Sequence, residues 1–131
     1  MHEVSRPAGS ALYRDMKTAT RMAAQGDVLF RRIDALPEAA RRVHRNGPLV
    51  VAHSETGHHH VIRSADAELY RGKDALVSFL SIGGPFVDVE HLRDFDTHET
   101  LRLLGSESGP VYFEVRRQRE QTHEHWQPVN D

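Results

Sequence analysis

Gly26-Asp27-Val28-Leu29-Phe30-Arg31-Arg32-Ile33-Asp34-Ala35-Leu36-Pro37 is the stretch on which the reading of the fold turns. A short apolar run opens on Gly-Asp and closes on Asp and Pro, residues that start and stop turns, and the same texture continues toward the C-terminus. Candidate strands are 27–33, 49–53, 58–63, 68–71, 76–80, 86–91, 100–103 and 111–117. Turn-like segments join them at Glu55-Thr56-Gly57, Arg71-Gly72-Lys73-Asp74, Gly83-Gly84-Pro85 and Gly105–Pro110. Helical periodicity is missing after residue 45, which argues against alternating βαβ units. The expected fold is mainly all-β, a small β-barrel or β-sandwich of about eight short strands.

Working outward, Ser10–Gln25 reads as an added N-terminal helix capped by Ser10, with Leu12, Met16, Ala19 and Ala23 on one face. The expected division is an N-terminal arm and helix over 1–25, a β-rich domain over 26–120 and a C-terminal tail over 121–131. A chain of 131 residues suits one such core.

Composition narrows the function. The 17 Lys+Arg and 19 Asp+Glu leave a net charge of −2, which argues against a uniformly basic nucleic-acid binder. Nine Lys/Arg against five Asp/Glu lie in residues 1–50, but the Arg41-Arg42 and Arg45 cluster has no interleaved aromatics for base stacking. The longest apolar runs, Pro48–Ala52 and Ala75–Ile82, fall well short of the roughly 18 residues a membrane helix needs. Residues 1–25 carry no export signal, so the expected location is the cytoplasm.

There are ten His, nine Phe, Tyr and Trp together, and no Cys, so a metal here has to be held by imidazole, carboxylate or water. On an extended strand His58, His60 and Ile62 project to one face, and His-x-His is how a strand offers two imidazoles to one ion. Leu49, Val51, His53 and Glu55 share a face by the same rule, which brings Glu55 toward the pair. Two His and one carboxylate with open positions suit divalent zinc, iron or manganese. Downstream, His91 shares its face with Val87 and Val89 and is expected to point inward as a third histidine; His98 is the fourth candidate. His123, His125 and Trp126 lie in the tail, where an unstructured polar end is the simpler reading. Phosphate-loop, nucleophile-elbow and His-Glu-x-x-His motifs are absent.

Gln25-Gly26-Asp27-Val28-Leu29, Ile33-Asp34-Ala35-Leu36-Pro37, Glu55-Thr56-Gly57-His58-His59-His60 and Arg117-Gln118-Arg119-Glu120 together resemble a family of small, uncharacterised bacterial proteins over residues 25–131. That family's compact His-Glu-Glu-His element is spread here over His91 and His98. The resemblance implies a fold and no established activity. His58, His60 and His91 are also similar to the ligand set of cupins, metal-binding β-barrels, although the glutamate that follows the cupin pair would fall at Glu68.

The leading expectation is a small metal-binding β-barrel, acting on a small molecule if it is an enzyme, with oxidation, isomerisation and hydrolysis all open. The alternative is a non-catalytic assembly or adaptor module, such as a virion or operon-partner component. It would bind another protein or a second copy of itself through the N-terminal helix and the tail.

Overall fold

Alternation of apolar and polar residues, with β-branched and aromatic side chains on the apolar face, builds strands wherever the core needs one face covered. The computed structural model describes residues 16–52, 59–92 and 97–118, without the side chains of 97 and 98. In chain order the strands are β1 (Met16–Ala19), β2 (Met22–Gln25), β3 (Val28–Ile33), β4 (Arg41–Arg42), β5 (Leu49–Ala52), β6 (His60–Ile62), β7 (Ala67–Arg71), β8 (Val77–Leu92) and β9 (Thr97–Arg117). They form one sheet with the path β2-β3-β9-β8-β6-β5; β1 joins β9 in parallel, and β4 and β7 extend from β8. Mainly β architecture holds. The path is open, ending at β2 and β5, and among the described residues it does not close into a cupin-like barrel.

Two long strands organise everything else. The first half of β8 pairs with β7 and its second half with β6; the first half of β9 pairs with β1 and its second half with β3. The β8–β9 ribbon thus belongs to two half-sheets, and the core draws on both. Phe30, Leu80, Ile82 and Phe113 come from one half, and Ile62, Val87, Val89, Leu101 and Leu103 from the other. All nine are fully or almost fully buried. Outside, cross-strand ion pairs face solvent: Arg31 with Glu114 at 2.9 Å and Arg102 with Asp88 at 2.8 Å, each in direct register.

The sequence-based turns at Gly83-Gly84-Pro85 and Gly105–Pro110 are not hairpins. Both lie inside β8 and β9, so the expected strands 76–80 and 86–91 are one strand, and 100–103 and 111–117 another. Glycine serves there for a bend. The register shifts between Ile82 and Gly84, with residues 107–110 of β9 opposite residue 83 alone, and Gly84 adopts φ +81°. Across the shift the buried positions of β8 change parity, from Leu80 and Ile82 to Val87, Val89 and His91. The inserted irregularity lets one strand face the core on both sides of the bend.

The expected helix over 10–25 is corrected where it is described: residues 16–19 and 22–25 are strands β1 and β2. Small residues such as Ala19, Ala23 and Ala24 fit either period, and pairing decides between them. β1 and β2 satisfy the open backbone edges of β9 and β3, a gain that an isolated short helix cannot match. The sheet therefore begins at Met16, upstream of the expected boundary at 26. Residues 10–15 and the 121–131 tail lie outside the described residues.

Candidate functional site

β6 and β8 are neighbours, and His60 stands directly opposite His91. Their rings stack with centroids 4.2 Å apart and planes 14° from parallel. Both are buried, His60 completely. The outward alternation from Val87 and Val89 correctly carried His91 inward, and the structure brings together these two sequence-derived candidates. Glu55 and His58 lie outside the described residues, as does His53. His98 pairs with His91 through its backbone, and its side chain is not described.

Three residues that sequence reasoning did not assign to the site complete it. Gln25 is 1% exposed and its amide is fully used. Nε2 donates to the carbonyls of Val89 at 2.8 Å and Glu99 at 2.9 Å, while Oε1 meets His60 Nδ1 at 2.8 Å. Those carbonyls flank the register shift between Val89 and His91, where the ladder between β8 and β9 is interrupted. Because the amide nitrogen is committed to two acceptors, Oε1 must accept, and His60 Nδ1 must carry the proton. On the far side of the ring Nε2 presents a lone pair when His60 is neutral and an N–H when it is protonated.

That nitrogen is buried, has no hydrogen-bond partner among the described residues, and lies 3.6 Å from Asp27 Oδ1. The distance is too long for a hydrogen bond. Asp27 sits in the two-residue turn between β2 and β3, where Gly26 takes φ +60°, as such turns require at their first position. A Cβ on Gly26 would come within 2.8 Å of His91 Cε1 and 3.4 Å of His60 Cε1, so the turn backbone lies against both rings. The Gly-Asp dipeptide between apolar Ala24 and Val28 was the available signal for a turn; its contact with residues 60 and 91 leaves no trace in local sequence.

In its protonated form the His60 imidazole facing it is the main cause that holds the Asp27 carboxyl below its usual value of 3.8, against the opposing effect of partial burial. The charges of His60 and Arg117 and its own backbone N–H add to the lowering. A depressed carboxylate stabilises the fold above its unfolded pKa and ceases to as pH falls through the lower folded value. In metal-free protein, wild type is therefore expected to be more stable than Asp27→Asn at pH 5, with the difference fading below about pH 3.8. Urea unfolding at a series of pH values checks this; a difference that grows on acidification would contradict it.

Among the described residues no three His, Asp or Glu side chains stand together in metal-binding geometry. The lone pairs of stacked rings lie in nearly parallel planes, so His60 and His91 do not converge on one ion as they stand. No helix among the described residues is long and apolar enough to cross a membrane.

Fold and site define a mainly β protein whose bent sheet holds a buried histidine, its Nδ1–H held by Gln25, beside a turn aspartate. The chain belongs to the family of a domain of unknown function, DUF8820, whose model matches residues 24–118. Gln25, Gly26, Asp27, His60 and His91 all fall inside the match. An uncharacterised family agrees with the resemblance seen in the sequence; the match carries no cupin relationship. No curated protein and no solved structure matches the chain.

Proposed function

We propose that the protein binds a divalent transition-metal ion, zinc, iron or manganese, with His60 Nε2 and the Asp27 carboxylate as two of its ligands. The observation that carries this is a buried His60 Nε2 that has no hydrogen-bond partner among the described residues and faces a carboxylate oxygen 3.6 Å away. Two donors bonded at about 2.0–2.1 Å to one tetrahedral ion stand about 3.4 Å apart, close to the separation found. Gln25 acts as the outer partner that fixes ring orientation and tautomer, a role common behind metal-bound histidine. His91 joins as a third ligand only if its ring turns out of the stack. Glu55, His58 and His98 remain the sequence-derived candidates for the other positions. A set of imidazoles and carboxylates with an open position would supply Lewis-acid or oxygen chemistry on a small molecule, and the cupin-like reading rests on that ligand chemistry rather than on a closed barrel.

Competition of the protein with a chromophoric chelator for zinc tests the assignment. His60→Ala and Asp27→Asn are each expected to weaken binding at least about 100-fold. Equal affinity in both variants would overturn it.

The second reading is a protein-binding module that acts through the N-terminal segment. It is favoured by β2, an edge strand of the sheet path on which Met22 is 56% exposed. It needs no metal, so the metal measurement separates the two.

A further inference from the structure

Beside the His60 end of the sheet a second feature lies between the two half-sheets. β5, the end of β7, the start of β8 and the end of β9 enclose a pocket of about 50 Å³. Its walls are apolar at Val51, Ala52, Val77 and Val115, and its cations are Arg71 and Arg117. Among the described residues no carboxylate lines it. Arg71 makes no ion pair with another described residue, unlike Arg31, Arg42, Arg63, Arg102 and Arg116, each of which has its acid. Arg117 makes no ion pair with a described residue either, although its charge is felt at Asp27, and its Nε is buried without a hydrogen-bond partner among the described residues.

A buried guanidinium N–H left unpaired costs free energy, and two guanidinium groups on one small pocket, neither in an ion pair with a described residue, repel each other. A bound anion relieves both. From this we infer that the pocket is a binding site for a small organic carboxylate, its oxygens on Arg71 and Arg117 and a short aliphatic chain against the valine and alanine walls. The room is enough for a carboxylate with one to three carbons, and an inorganic oxyanion would leave the valine and alanine side chains on its walls uncovered. The site stands independently of the metal reading, although Arg117 also acts on Asp27.

Titrating the whole chain with propionate at constant ionic strength, followed by amide NMR shifts, tests it. Saturable shifts are expected at Val77, Ser78, Val115 and Arg117, with binding about tenfold weaker in Arg71→Gln and in Arg117→Gln. Arg71 is exposed, so its variant decides the matter should Arg117→Gln fail to fold. Propionamide is expected not to bind, and Arg71→Gln is expected to take up zinc as wild type does. Binding of propionamide as tight as propionate, tighter binding of phosphate, shifts that never saturate, or unchanged affinity in Arg71→Gln would each overturn the assignment.

Discussion

Gly105→Ala is expected to destabilise the protein by about 3 kcal/mol and to lower its Tm by about 10–20 °C. A Cβ at this position would collide with the carbonyl oxygen of Gly84 on the paired strand and would lie 3.1 Å from Ile82 Cγ2. The first obstacle is backbone, so no rotamer change can clear it. The Gly84 backbone faces Gly105 at the bend of the β8–β9 ribbon, and the bend lets one ribbon serve both half-sheets. Pushing the strands apart at Gly105 would disturb the packing of Ile82 and Val87, which are buried on either side of the bend. Gly109 is the control, since a Cβ there meets nothing within 4 Å. Thermal melts of both variants decide it: equal Tm values for the two would refute this account of the bend.

Gln25→Leu is expected to cost about 3 kcal/mol or more. The change keeps much of the side-chain bulk but strands three polar groups at once: the buried carbonyl of Val89, the part-buried carbonyl of Glu99 and the buried Nδ1–H of His60. Each such group costs about 1–3 kcal/mol when left without a partner in the interior. Gln25→Glu is expected to give little rescue, because an ionised carboxylate can accept from His60 but cannot donate to either carbonyl. The loss should appear as a lower urea midpoint with an unchanged slope. A Gln25→Leu protein within about 1 kcal/mol of wild type would show that water already serves these groups.

The placement of His60 and His91 was legible because strand alternation is a local rule. Val87 and Val89 mark an apolar face, and His91 follows two residues on. Gln25 and Asp27 were not legible, since their partners are 33 to 74 residues away and only the bend of the β8–β9 ribbon brings them close. Gly83-Gly84-Pro85 misled for a related reason. The same residues that make a reversing turn also make a bulge, and whether the chain reverses depends on the pairing of both flanks with β9. Met16–Gln25 failed differently. Its small apolar residues carry no decisive period, and the open edges of β3 and β9 set its conformation.

Metal content of the untagged protein as purified is the most direct measurement of the central claim. The account predicts about one zinc, iron or manganese ion per chain by elemental mass spectrometry, lost in both His60→Ala and Asp27→Asn while the variants stay folded. A metal-free native protein that takes up none of the three when they are added, or variants that keep the full metal content, would contradict it.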